Sequence, residues 1–171
     1  SRGLVGSEMC IRDRYSILLC AFLFSCTNSN QSVIKTDDDL TANIKLQYES
    51  YVANDFSFSD QYSEDVVSRI NNLVIDGRDN LMTGWKSHHE VLFENIDIQD
   101  VYVHTNYFSD GAVWSNAWFT WTAEGQTTGE EYSNRGHFDY RWEDGKIVEL
   151  LAYFSEYPEA TETAAYAASQ E

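Results

Sequence analysis

The 171-residue chain is predicted to fold as a single α+β domain, with helices on one face of a strongly curved antiparallel sheet. Three observations point there. Apolar residues recur at helical spacing between Leu40 and Leu92, and from Asn95 onward the period changes to two. Turn signals at Ser109-Asp110-Gly111, Glu124-Gly125-Gln126 and Glu143-Asp144-Gly145 separate the alternating stretches, so the strands follow one another as a meander. Hydrophobic residues make up 43% of the chain, enough for a packed core. Aromatic residues reach 15%, and with so few turns the sheet is expected to bend around the helices.

Residues 1–26 stand apart from this pattern. The opening SRGLVGSEMCIRDR resembles a translated cloning or sequencing-adapter segment and is set aside. Residues 15–24 read YSILLCAFLF, an apolar run behind Arg12 and Arg14. It is too short to span a bilayer as a helix and matches the apolar region of a secretory signal. It ends at Leu23-Phe24-Ser25-Cys26, which resembles a bacterial lipobox with Cys26 as the lipidated residue, although Phe24 is bulkier than usual there. A plain cleaved signal or an uncleaved anchor is the competing reading. The expectation is a bacterial envelope protein, lipid-anchored and periplasmic or outer-membrane associated. Cys10, Cys20 and Cys26 all precede the folded part, which therefore has no disulfide, thiolate metal site or cysteine nucleophile.

Residues 27–36 are polar and read as a tether. Thr36-Asp37-Asp38-Asp39 supplies a helix cap with acids in the first turn, where the helix dipole favours negative charge. Leu40, Ile44, Tyr48, Tyr51 and Val52 then place an amphipathic helix over 38–54. A short helix follows near 57–64 and a short strand over 66–70. Asp76-Gly77-Arg78-Asp79 turns into a third helix over 78–93, with Leu81, Trp85, His88 and Leu92 on one face. Gly84 inside it costs about 1 kcal/mol against alanine unless close packing requires it. Ile96 and Ile98 alternate in one phase and Val101 and Val103 in the other, which predicts a bulge near Asp100. Further strands cover 112–122, 128–142 and 146–154. The alanine- and glutamate-rich stretch 158–171 is either a loose helix or a frayed tail, so the domain is placed at 37–157.

The charge balance excludes one class of partner. With 28 acidic and 11 basic residues the net charge is −17, and a nucleic-acid backbone would be repelled by most of the surface. Glu130-Glu131 and the Asp37–Asp39 run read as solvated surface. No phosphate loop, serine-nucleophile elbow or zinc signature is present, and no cofactor or metal is implied.

Three segments carry a family resemblance: Tyr62-Ser63-Glu64-Asp65-Val66-Val67, Asp76-Gly77-Arg78-Asp79-Asn80-Leu81, and Trp142-Glu143-Asp144-Gly145-Lys146-Ile147-Val148-Glu149 leading into Ala152-Tyr153-Phe154. In this order and spacing, the chain resembles SnoaL-like proteins of the nuclear transport factor 2-like superfamily over about 38–156. The resemblance implies a cone-shaped α+β barrel, a pocket at its wide mouth, and a homodimer formed through the outer sheet face. It does not imply one chemistry, because this cone hosts isomerases, cyclases, dehydratases, epoxide hydrolases and non-catalytic binders. The position matching the general-base Asp of ketosteroid isomerases falls near Ile70, and that of their oxyanion-hole acid near His137 or Phe138. Their first-helix tyrosine corresponds to Tyr48. The essential Asp of limonene epoxide hydrolases falls on Ala152. Neither carboxylate set is present.

His88 and His89 are the remaining candidate catalytic residues. Neighbours on a helix diverge by about 100°, so the pair does not chelate one metal. The ring on the Leu81–Trp85 face is either a general base looking into the cone or a histidine hydrogen-bonded at the core edge. On the strand 128–142, family phase puts Phe138, Tyr140 and Trp142 inside, and Arg135, His137, Asp139 and Arg141 outside as an ion-pair ladder or dimer contact. The opposite phase would make His137 and Asp139 a dyad. Likewise Val113, Ser115, Ala117, Phe119 and Trp121 face inward, leaving Trp114 and Trp118 outside as a costly patch that points to a homodimer. The first functional reading is a lipid-anchored domain that binds a small apolar or aromatic molecule against Tyr48, Trp85, Phe119, Trp121, Phe138, Tyr140 and Phe154. The second is an isomerase, cyclase or dehydratase in which His88 or His89 abstracts a proton and Tyr48 stabilises the developing oxyanion.

Overall fold

The computed structural model describes residues 31–171, and the signal, lipobox and Cys26 lie outside that range. The chain runs β1 (Val33–Lys35), α1 (Asp39–Val52), a 3-10 turn (Ser57–Gln61), β2 (Tyr62–Ile70), β3 (Leu73–Asp76) and α2 (Arg78–Ser87). It continues through a π-helical turn (His88–Leu92), β4 (Phe93–Tyr107), β5 (Val113–Gly125), β6 (Glu131–Glu143), β7 (Lys146–Tyr153) and α3 (Tyr157–Ser169). Seven strands form one sheet in the order β1-β4-β5-β6-β7-β2-β3.

The meander β4 to β7 is antiparallel as expected, but β2 joins β7 in parallel, so the sheet is mixed. A parallel neighbour needs a long crossover, and the whole run from β3 through β6 provides it. Two short edge strands escaped the sequence pattern. β1 lies in the stretch read as a tether, and β3 in a stretch left unassigned just ahead of the turn at Asp76–Asp79. Three- and four-residue strands with exposed side chains carry too little alternation to register.

Curvature comes from β4. Its register with β5 slips between Glu94 and Asp97 and again between Gln99 and Tyr102. Asn95 and Asp100 sit at these slips with φ of 53°, a left-handed conformation that Asn and Asp tolerate. The bulge at Asp100 is the one predicted; that at Asn95 is additional. The bent sheet wraps α1, whose Thr41, Ile44, Gln47, Tyr48 and Tyr51 are buried against it.

The helix cap differs from the one read in the sequence. Asp38, not Thr36, caps α1, its carboxylate accepting from the Thr41 amide at 2.9 Å and from the Tyr107 hydroxyl. Asp38 is thus a structural residue within a run read as solvated. Burial acts to raise its pKa, but these bonds hold it below the usual carboxylate range.

A buried chain of hydroxyls ties α1 to three strands. The Trp142 indole N–H donates to Ser115 Oγ at 2.9 Å, Ser115 meets Thr105 at 2.8 Å, and Thr105 meets Thr41 at 2.9 Å. Thr41 reaches the Lys35 carbonyl at 3.4 Å. An indole can only donate and a carbonyl can only accept, so all the intervening protons fall into one direction.

The stretch 158–171 does not fray. It lies within α3, opened by Pro158 in the first turn and anchored by the buried Glu162. The domain therefore extends at both ends beyond the 37–157 read from the sequence.

Gly84 serves no close approach, since a Cβ built there meets no atom within 4 Å. Gly84→Ala is expected to stabilise the domain by about 1 kcal/mol, read as a higher urea midpoint at unchanged slope.

Candidate functional site

Inward alternation on β5 and β6 puts Phe119, Trp121, Gly136 and Phe138 on the concave face opposite α1. Between them and the helices lies a cavity of about 80 Å³. Tyr48 and Tyr51 of α1, Trp85 of α2 and Phe154 after β7 complete most of its wall. Arg135, His137, Asp139 and Arg141 face outward, so the inner phase read from the sequence holds on both strands. Of the seven candidate ligand-contacting residues, Tyr48, Trp85, Phe119, Trp121, Phe138 and Phe154 line the cavity. Tyr140 does not. It is fully buried beneath Tyr48.

That burial gives Tyr140 a different task. Tyr62 donates to Gln47 Oε1 at 2.9 Å, Gln47 Nε2 donates to the Tyr140 hydroxyl at 3.4 Å, and Tyr140 meets the Tyr48 hydroxyl at 2.9 Å. The two hydroxyls hold two protons but share one bond. Tyr140 is fully enclosed and Tyr48 lines the cavity, so the arrangement that strands no proton in the core has Tyr140 donating to Tyr48. The Tyr48 proton is then left free on the cavity side. Burial pushes all three tyrosine pKa values well above the ordinary range, so the chain stays neutral and Tyr48 acts as a donor.

The two histidines separate as their helical spacing requires. His88 lines the cavity, with Nδ1 at 2.8 Å from the Tyr51 hydroxyl and Nε2 at 2.6 Å from Glu159. In the neutral ring, Tyr51 donates to Nδ1 and Nε2–H donates to the carboxylate. Both nitrogens are hydrogen-bonded, which fixes the ring and orients the Tyr51 hydroxyl. Burial raises the Tyr51 pKa, and the Glu159 charge adds to the rise. His89 points elsewhere, packing on Tyr51 with ring centroids 4.8 Å apart. Its Nε2 is buried and finds no hydrogen-bond partner among the described residues. Burial, then the neighbouring His88, lowers its pKa and keeps it neutral. Among the described residues no three His, Asp or Glu side chains converge as metal ligands.

Tyr51 was legible as a core-facing position one helical turn from Tyr48, and Gln47, its immediate neighbour, was not singled out. Glu159 and Pro158 carried no signal at all, because they reach the cavity from α3. That helix is held by Glu162, which accepts from the Thr127 and Thr128 amides at 3.1 and 3.3 Å. It also accepts from the Tyr132 hydroxyl at 2.8 Å and from the Thr128 hydroxyl. Gly125 is required here, since a Cβ would stand 2.1 Å from the Glu162 carboxylate.

Residues 47–150 match the SnoaL-like domain. The chain belongs to that family. Solved structures with the same cone include a candidate polyketide cyclase from Pseudomonas putida, at 18% identity and a TM-score of 0.62 over 74% of this chain and 98% of that one. A candidate isomerase from Bacillus subtilis aligns at 16% identity and a TM-score of 0.56, covering 72% and 91%. An NTF2-like protein from Anabaena variabilis aligns at 17% and 0.51, covering 68% and 86%. At such identities they establish the fold alone. No curated protein matches the chain.

In this SnoaL-like domain the family's carboxylate positions hold no acid. Ile70 packs against the apolar core and Ala152 is fully buried. The carboxylate nearest the cavity is Glu159, supplied by the final helix.

Glu162 makes the docking of that helix pH-dependent. Burial acts to raise its pKa, but its hydrogen bonds win and hold it below the usual carboxylate range. A depressed folded pKa contributes stability that is complete above the unfolded value, about 4.3, and lost as pH falls through the folded one. Each oxygen accepts two donors, so the amide of Glu162→Gln must face two of them wrongly. The variant is expected to lose about 1–3 kcal/mol at pH 7 and to flatten the acid limb of the stability curve, followed by urea unfolding from pH 7 to 3.

Proposed function

We propose that the domain binds a small, largely apolar molecule in the cone cavity, held by ring packing and by one hydrogen bond from Tyr48. The observation that carries this reading is the Tyr48 hydroxyl on the wall of a hollow lined by Phe119, Trp121, Phe138 and Phe154, paired with Tyr140 by a single bond that leaves one proton to spare. A buried donor without a partner costs roughly 1–3 kcal/mol, which a ligand acceptor recovers. Binding is put before catalysis because the positions matched to the catalytic carboxylates of ketosteroid isomerases and limonene epoxide hydrolases hold Ile70 and Ala152. Sequence alone supports the rest of the proposal, a bacterial envelope location with the domain tethered by a lipid on Cys26. The partner reading is likewise a proposal, a homodimer through the outer sheet face, where Trp118 is 40% exposed.

A second reading, an isomerase, cyclase or dehydratase, draws on the Tyr51–His88–Glu159 chain as a proton path beside the Tyr48 donor. Exchange of the acetophenone methyl protons with heavy water, faster with the protein than in buffer and lost in His88→Gln, supports it. Exchange at the buffer rate removes it for this probe.

Tryptophans on opposite faces make the binding reading directly testable. Acetophenone, a ring with one acceptor, is expected to shift the indole N–H resonances of Trp85 and Trp121 saturably while Trp118 stays still. Tyr48→Phe is expected to weaken acetophenone by up to about tenfold and to leave ethylbenzene, which lacks the acceptor, unchanged. Shifts confined to Trp118, or none, overturn the reading.

A further inference from the structure

Phe119 and Gly136 are direct cross-strand partners on β5 and β6. The Phe119 ring lies over the bare Gly136 backbone, where a Cβ would stand 2.4 to 3.0 Å from three of its carbons. Tyr48 packs on the ring at 4.9 Å and 49°, and Phe138 meets it edge-on at 5.0 Å and 83°. The ring is thus held from both sides in a seat that exists only because residue 136 has no side chain.

Both residues line the cavity, which measures about 80 Å³. Sites for drug-sized ligands run to about 300 Å³ or more, so only a molecule of one ring or similar bulk fits with the walls as they stand. Trp121 packs on Phe93 at 4.9 Å and Trp85 on Phe58 at 6.0 Å, ring against ring. Phe119 instead lies on the backbone of a glycine, and residue 136 has no side chain to fill space vacated there.

We infer that Phe119, seated on Gly136, is the size-determining residue of the cavity and restricts it to single-ring molecules with a hydrogen-bond acceptor. Anions are disfavoured by Glu159 on the wall and by the net charge of −17. The inference rests on the cavity-binding reading above and sharpens it to a ligand class.

Two ketones that differ by one fused ring separate the possibilities. Acetophenone and acetonaphthone are titrated into the domain, with the Trp85 and Trp121 indole N–H shifts as the readout. The native protein is expected to prefer acetophenone by at least tenfold. Phe119→Val is expected to bring acetonaphthone within threefold of acetophenone. Because loss of a core ring can unfold a domain, Gly136→Ala provides the converse test. Its Cβ pushes the Phe119 ring into the cavity, and acetophenone is expected to weaken at least tenfold while the outer-face Trp118 resonance is retained. Equal binding of both ketones by the native protein, with Trp85 and Trp121 shifting, overturns the size limit and leaves the binding reading standing. The size limit also falls if Gly136→Ala binds acetophenone as the native protein does. Absence of shifts at Trp85 and Trp121 with either ketone in every variant overturns both.

Discussion

The bend of the sheet is the constraint on which the rest of the molecule depends. Two bulges in β4, with Asn95 and Asp100 at positive φ, turn a meander into a trough that α1 enters from one side. A helix is round and a bent sheet is hollow, so side chains of ordinary length cannot fill the space between them everywhere. Where Ala117, Ser115 and Trp142 meet the helix, the contact closes into solid core. Toward the other end the large rings of β5 and β6 lean on one another and leave the cavity.

Two directional hydrogen-bond chains keep that arrangement in register. One runs from Trp142 through three hydroxyls to the Lys35 carbonyl. The other runs from Gln47 through Tyr140 to Tyr48. An acceptor-only end assigns every proton along the first, and the full burial of Tyr140 leaves the spare proton of the second to Tyr48. The first chain ends on a backbone acceptor and is structurally complete. The second ends at a tyrosine facing empty space, and this difference singles out Tyr48 among the eleven tyrosines of the chain.

The convex face carries an expected liability. Trp118 lies between His137, at 4.6 Å and 11°, and His104, at 5.4 Å and 20°, with Tyr102 and Tyr153 at the ends of the row. These rings come from four adjacent strands and lie against one another in a row, although Tyr102, Trp118 and Tyr153 remain exposed.

Alternation with period two sorted β5 and β6 into two faces, and the phase implied by the family resemblance chose the inward one. Helical spacing likewise placed Tyr48, Trp85 and His88 toward the core, and a slip in the alternation revealed the bulge at Asp100. Edge strands β1 and β3, the cap at Asp38 and the buried role of Tyr140 were beyond such patterns. β1, Asp38 and Tyr140 depend on partners tens of residues away, as Asp38 does on Tyr107, whereas β3 pairs with neighbouring β2 and is too short to show alternation. Most of all, only the tertiary structure could bring Glu159 to His88, 71 positions earlier. Local periodicity reports which side of an element is buried. Which distant element buries it is decided by three-dimensional packing, and there the chemistry of this cavity was set.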